Sequence, residues 1–535
     1  MKLFIVESPT KARTIKKYLG KGFVVKATMG HVKDLPEKEL GVDPETLEAK
    51  YVYRKGKKKL VDELKRLAQR SEEVYLGTDP DREGEAIAYF LREELKRKNP
   101  KIKRATFREV TESAIKKSVR SAGELDMNLV KAQFARRILD RLIGYLLSPV
   151  LWDAFKNPKL SAGRVQSPAL RLLVERERQI EGFKKRKYYL VKAVLRTPSG
   201  EKLEAYYDYR YENPSDAKVV AEKLKEAFFS VKSVKLKKEK VAPPKPFITS
   251  TLQAEADAKL GLPPEKTQKL AQFLYEQGFI TYPRTDSYRI NPEAAKAFTE
   301  FIKKTYGEEF VGRLRRFKAR ATAQEAHEAV RPTAAKPSVP VEGPASKLYG
   351  LIFNRTVASL MKEAEVERQE VKLEAVSPSL KRPLELLAKG ARMLFPGWML
   401  AYPYELKQKP LPELEEGTLL ELEEVKIEER EVKPPERYTE GTLVKTLEKL
   451  GIGRPSTYAQ IVKTLKERGY VEKKGKYLVP TELAKKVVDY LSEHYPLLVD
   501  YGFTAEVEKK LDEVEEGRRD WKEVVREFKR KVMGE

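Results

Sequence analysis

The segment Thr78-Asp79-Pro80-Asp81-Arg82-Glu83-Gly84-Glu85 sets acidic groups at alternate positions, and Glu7 stands at the end of another short apolar run. On an extended loop this alternation points Asp79, Asp81 and Glu83 to one region. Hard oxygen donors without sulfur or imidazole suit magnesium, which takes a few carboxylates and keeps several waters. The competing reading is an N-capping cluster for a helix over Glu85 to Leu95, where the helix dipole favours acids. A second candidate is Tyr282, followed by Pro283, Arg284, Thr285, Asp286 and Ser287. A phenol can attack a phosphodiester if the developing charge is stabilised, and Arg284, two residues on, would share its strand face. A buried strand tyrosine with a satisfied hydroxyl is the ordinary alternative for any of the 26 tyrosines. His327 and Arg331 are four apart and on a helix would form a phosphate clamp. A surface histidine beside an ion pair is the plainer reading. His31 follows an expected strand and carries the same ambiguity; His494 has no polar constellation around it.

Composition says what such groups would meet. Lys and Arg number 107 against 81 Asp and Glu, a net charge of +26, which favours a polyanion as partner. With no cysteine and three histidines, disulfides, zinc ribbons, iron–sulfur clusters and thiol nucleophiles are excluded. No Gly-x-x-x-x-Gly-Lys-Ser/Thr stretch encodes an ATP motor. Neither an apolar run of 18 residues nor a signal-peptide layout occurs, so a cytoplasmic protein away from membranes is expected. The basic runs Arg54 to Lys59 and Arg313 to Arg320 are DNA-contact candidates that solvated surface explains equally well.

The elements needed to position these groups are legible in part. Leu3 to Val6 reads as a strand of a parallel sheet, Ser8 and Pro9 as the start of a helix over Thr10 to Tyr18, and Gly20 as its end. Strands over Phe23 to Thr28, Glu73 to Thr78 and Ile102 to Phe107 alternate with helices over Leu60 to Gln69 and Glu85 to Leu95. This is an α/β pattern whose ligands bind beyond the carboxyl ends of the strands. Leu129 to Ile180 reads as helical, Tyr188 to Tyr209 as strand, and Val241 to Pro246 as a linker. Thr249 to Pro332 is expected to be helical with a strand at Phe279 to Tyr282. Gln369 to Val432 is β-rich and acidic, and so is expected to face away from a polyanion. Thr251 to Gly278 and Thr442 to Gly469 are of equal length and each read as helix, turn, helix and glycine cap. Both look like winged-helix units, with Tyr470 to Val479 as the wing of the second.

At these residues the sequence resembles the type IA DNA topoisomerases, most closely the bacterial topoisomerase I branch. The matching segments are Val6 to Ala12, Gly30 to Leu35, Thr78 to Ala86, Ala135 to Arg141, Leu160 to Pro168, Gly278 to Ser287, Gln324 to Pro332 and Gly451 to Ala459. The resemblance implies a multidomain α/β and α+β toroid. Its Toprim domain (1–125) would hold Mg2+ through Glu7, Asp79, Asp81 and Glu83. A helical DNA-gripping domain (126–180 and 435–535), a β-rich hinge domain (181–245 and 369–434) and a domain bearing the nucleophile (246–368) would complete it. By that likeness Tyr282 forms a 5′-phosphotyrosine, Arg284 steadies the phosphate, Glu7 exchanges a proton with the leaving 3′ oxygen, Lys11 contacts phosphate and His327 grips the strand near the break. Contacts to DNA are expected from His31, Arg136, Arg137, Asp140, Tyr145, Arg164, Gln166, Ser167, Arg331, Arg454, Ser456 and Thr457, with Arg137 and Tyr145 holding a base upstream of the cut.

The activity so implied is ATP-independent relaxation of negatively supercoiled DNA by a monomer that binds single-stranded or underwound DNA. The family's frequent C-terminal zinc ribbons have no counterpart before Glu535, which is expected of a naturally short or a shortened chain. The alternative is the topoisomerase subunit of a split reverse gyrase; Met1 directly before the first strand favours a free-standing enzyme.

Overall fold

The computed structural model describes residues 1–318 and 327–534. Strand β1 (Lys2–Val6) runs into α1 (Pro9–Leu19), which Ser8 caps by accepting from the Lys11 N–H and which ends at Gly20 with φ 70°. Strands β2 (Phe23–Ala27) and β3 (Val74–Leu76) follow, then α2 (Arg82–Leu95) and β4 (Ile102–Arg104). They form a parallel sheet in the order β2-β1-β3-β4. Four consecutive residues of β1 have no exposed surface. Leu3 and Ile5 pack on one face with Ile87, Ala88 and Leu91 of α2, while Phe4 and Val6 pack on the other with Ile15 of α1. That second cluster continues without a break into Leu274, Tyr275 and Tyr282, so the sheet and the tyrosine's own domain share a core.

Helix α3 (Met127–Phe155) packs on α2, and α4 (Gln166–Glu181) leads to strands β5 (Arg186–Arg196), β6 (Lys202–Tyr207) and β7 (Phe228–Val241). Helices α5 (Thr249–Leu260) and α6 (Pro264–Glu276) precede β8 (Ala364–Val376), β9 (Leu384–Phe395) and β10 (Leu419–Val432). The six long strands close into a barrel in the order β8-β9-β6-β5-β10-β7. The glutamates of β10 lie across from basic residues of β5 and β6, with Lys192 to Glu428 at 2.9 Å and Lys202 to Glu423 at 2.8 Å, so the acidic surplus is largely consumed in cross-strand pairs. Helix α7 (Glu440–Leu450) packs on α5, and α8 (Tyr458–Glu467) packs on α6 and α4; the hairpin β11 (Val471–Lys474) and β12 (Tyr477–Pro480) follows, and α9 (Tyr501–Glu515) and α10 (Trp521–Met533) return to pack on α3.

Three expectations change. Helix α2 begins at Arg82 rather than Glu85, because Asp81 caps it by accepting from the Gly84 N–H at 2.7 Å. Phe279 to Tyr282 is not a full strand: only Ile280 makes a bridge, to Pro332. His327 and Arg331 do not share a helix. Val330 pairs with Phe247, and the Thr281 N–H donates to the Arg331 carbonyl at 2.8 Å, so this backbone is satisfied by neighbouring segments instead of by itself. The motif residues Gln324 to Ala326 and part of the basic run ending at Arg320 lie outside the described residues. The Pro-rich linker is pinned, with Arg315 donating to the Pro243 and Pro244 carbonyls and Arg355 to that of Lys245.

Candidate active site

The carboxyl ends of β1 and β3 deliver Glu7 and Asp79, and the first turn of α2 adds Asp81 and Glu83. Glu83 therefore joins the cluster through helical geometry, not through the alternation of an extended loop. The Tyr282 hydroxyl donates to Asp81 Oδ2 at 2.5 Å, and only 3% of the residue is exposed. Arg284 reaches over the Tyr282 ring, 5.6 Å from its centre, and contacts Asp79 and Asp81 at 3.3 Å and Glu83 at 3.2 Å. Behind them Lys11, fully buried, bonds Glu7 at 2.7 Å and Asp79 at 2.9 Å, and the Asp79 N–H donates to Glu7 at 3.1 Å. His31 meets Glu83 at 3.1 Å.

The charges are shifted as this crowding demands. Burial, with Asp79 beside it, pushes Glu7 up to about 8 despite Lys11. Burial also acts to raise Asp79, but Lys11 and Arg284 hold it down at about 2. The His31 hydrogen bond and then Arg284 keep Glu83 near 2 against the effect of burial. Burial drives the Tyr282 phenol well above its usual value, and Arg284 works in the opposite direction. A neutral phenol is thus held beside a carboxylate and a guanidinium.

Carboxylate oxygens at strand ends are the donor set a hard divalent cation takes, which fits magnesium. In this conformation no three His, Asp or Glu side chains among the described residues converge closely enough to hold an ion. Arg284 occupies the place between Asp79, Asp81 and Glu83, so a cation there would replace its charge. The capping reading also holds at Asp81, and the two roles share one side chain.

A cleft of about 240 Å³ opens from Arg284 toward the helical domain, and Arg136, Arg137, Asp140, His327, Arg454, Ser456 and Thr457 all line it. Burial and Arg108 lower His327 to about 4, leaving it neutral at ordinary pH. Arg136 is 5% exposed, and its Nε and Nη2 have no hydrogen-bond partner among the described residues. Arg137 grips Asp34 with two bonds of 2.9 and 3.0 Å, and Thr457 Oγ1 accepts from the Arg454 N–H at 2.8 Å. Other expected DNA contacts stand back from this cleft. Arg331 is buried against Glu328 at 2.8 Å; Arg164 pairs with Asp140 and Glu508; Gln166 bonds Ser161; Ser167 accepts from the Gly163 N–H; and Tyr145 donates to the Lys38 carbonyl.

Several participants escaped sequence reading. Gln272 of α6 donates to Asp79 at 3.1 Å, and Tyr275, one helical turn on, stacks edgewise on Tyr282 with ring centres 5.1 Å apart. Glu508 and Asp512 of α9 anchor the cleft arginines: Arg136 to Glu508 at 3.1 Å and Arg454 to Asp512 at 2.6 Å. The buried face of α6 was the one available signal for Tyr275. Nothing in the sequence near Glu508 marks its partners, which lie more than 50 residues away.

The DNA topoisomerase family model matches residues 124–526 and the Toprim domain model residues 2–110. The chain is 65% identical to DNA topoisomerase 1 of Aquifex aeolicus, over all of this chain and 99% of that one. It is 43% identical to DNA topoisomerase 1 of Thermotoga maritima, over 98% of this chain and 84% of that one. The solved structure of full-length topoisomerase I from Thermotoga maritima superposes with a TM-score of 0.88 at 40% identity, covering 99% and 90% of the two chains.

Proposed function

The chain belongs to the bacterial type IA DNA topoisomerases, enzymes that act on DNA, and from that premise we propose which residues carry the reaction. Tyr282 Oη attacks a backbone phosphorus. A P–O bond to the tyrosine forms, the bond to the 3′ oxygen breaks, and the 5′ phosphate remains on the protein. The phenolic proton passes to Asp81, its hydrogen-bond acceptor. Glu7, protonated at neutral pH and braced by Lys11, gives a proton to the departing 3′ oxygen and takes it back on resealing. Arg284 turns from the carboxylates to the phosphate, a charge-assisted bidentate contact suited to its planar fork. Asp79, Asp81 and Glu83 would hold magnesium, which supplies the positive charge they then lack. Because the phosphotyrosine preserves the bond energy, no ATP is consumed.

Arg136, Arg137, His327, Arg454 and Thr457 grip the strand on one side of the cut; His31 does so from the loop after β2. Residues 1–125, 126–180 with 435–535, 181–245 with 369–434, and 246–368 act as the four domains. The enzyme works as a cytoplasmic monomer on single-stranded or underwound DNA. No described helix is long and apolar enough to cross a membrane.

The observation that carries this reading is the Tyr282 hydroxyl held against Asp81 with Arg284 across its ring. The test is Tyr282→Phe, assayed on a denaturing gel with end-labelled single-stranded DNA. Loss of the covalent adduct by several orders of magnitude is expected, with strand binding within a few-fold of the parent. An adduct formed by the Phe variant would move the nucleophile elsewhere.

A further inference from the structure

The contact between the two copies of the sequence repeat has no part in the steps just described. Its copies fold as α5 with α6 and α7 with α8, and they pack like on like, α5 against α7 and α6 against α8. This is the arrangement of an isologous pair, here formed inside one chain. Gly441, in the first turn of α7, approaches α5 so closely that a Cβ there would lie 2.9 Å from the Ala254 Cα and 3.0 Å from the Asp257 Cβ. Its N–H donates to Asp257 Oδ2 at 2.9 Å. Farther along, Lys463 of α8 pairs with Glu265 of α6 at 3.1 Å. Aligning Thr251 with Thr442 places Ser250 where Gly441 stands, so the close approach is built from one copy only. Ser250 Oγ is buried and has no hydrogen-bond partner among the described residues.

This seam joins the segment that bears Tyr282 to the one that bears Arg454 and Thr457. The Tyr282-bearing segment is also tied to the Toprim carboxylates through Tyr282 and Arg284. Those ties change on cleavage, since a phenol oxygen bonded to phosphorus has no proton to give Asp81 and Arg284 is drawn to the phosphate. The seam holds no reacting atom and survives the cut. Passing a second strand requires the Tyr282-bearing segment to part from its neighbours; after cleavage the sheet still holds it through the shared apolar core and the Gln272 and Tyr282 N–H bonds, and the segment that bears Arg454 holds it through the seam. Resting on the Tyr282 reading, we propose that the α5–α7 seam, centred on Gly441 and Asp257, is the latch that sets how readily the cut strand opens.

The full chain with Asp257→Ala, Asp257→Asn or Gly441→Ala tests this. Two readouts are needed: covalent adduct on a short single-stranded oligonucleotide, which requires no opening, and opening frequency at the cleaved strand in a single tethered DNA under tension. Losing a hydrogen bond to a charged acceptor should raise opening about tenfold in Asp257→Ala. Gly441→Ala, which must push the helices apart, should do at least as much. Asp257→Asn, which keeps an acceptor, should stay near the parent, and adduct should remain within twofold throughout. Unchanged opening in both Asp257→Ala and Gly441→Ala, or a fall in adduct that parallels the change in opening, would overturn the latch. Failure of the Tyr282 reading shows separately, as an adduct that persists in Tyr282→Phe.

Discussion

Around Tyr282 four carboxylates, Glu7, Asp79, Asp81 and Glu83, face two cations, Lys11 and Arg284. Beneath the cleft Glu508, Asp512, Glu515 and Asp140 face Arg82, Arg136, Arg164 and Arg454. The chemistry is the same and the balance differs. The first cluster keeps a surplus of negative charge and crosses from the strand ends of the sheet to the segment that bears Tyr282; in the proposed reaction its partners are exchanged for phosphate and a metal ion. The second matches its acids to its arginines, and the acids hold the guanidiniums in place while Arg136 keeps donors without a hydrogen-bond partner among the described residues. Charges that do not cancel leave a cluster able to exchange partners, while matched charges fix the guanidiniums in place.

Neutralising the first cluster should have the largest effect. Asp79→Asn with Asp81→Asn removes two charges but leaves a good helix cap, since asparagine caps as well as aspartate. Magnesium-dependent relaxation is expected to fall by at least a hundredfold, and some thermal stability is lost with it because Asp79 also pairs with the buried Lys11. Magnesium dependence like the parent's would reduce the cluster to a cap and erase the contrast.

In the second cluster the loss should appear as stability. Glu508→Ala leaves three arginines without their buried partner, and breaking such a pair costs about 3–5 kcal/mol, readable in a urea melt. Burial acts to raise the Glu508 carboxyl, but Arg136, Arg164 and Arg454 together hold it far below the usual value of 4.5. With the folded value depressed, its stabilisation is complete above pH 4.5 and is lost as pH falls through the acid range. The parent should therefore weaken in acid more steeply than Glu508→Ala; parallel acid profiles would show that the cluster does not hold the fold.

The smallest effect is expected at the junction of the two. His327, lowered to about 4, carries no charge between pH 5 and 8. Single-strand affinity of the parent and of His327→Gln should then show the same flat pH dependence over that window, by fluorescence anisotropy at fixed salt. A step near pH 6.5 confined to the parent would mean a charged histidine in the complex.

The order of elements in the Toprim sheet, the cap at Ser8, the glycine end at Gly20 and both helix pairs could be read from the sequence because each depends on neighbours within a few residues. The candidate site was legible for a similar reason: Tyr282 and Arg284 are close along the chain, and the acidic run they meet is contiguous. What failed was local reasoning applied where partners are distant. His327 and Arg331 have helical spacing, yet the backbone at Val330 and Arg331 pairs with Phe247 and Thr281.

Residue types and short spacings determined this protein's family and its chemistry. Tertiary structure decided that Arg284 would meet three carboxylates from another domain, that Glu508 would gather arginines drawn from three separate stretches of chain, and that two repeats would close on each other at a glycine. Those outcomes depend on contacts across hundreds of residues, whose energies are set by burial and the company of other charges, and no pattern within a single element records them.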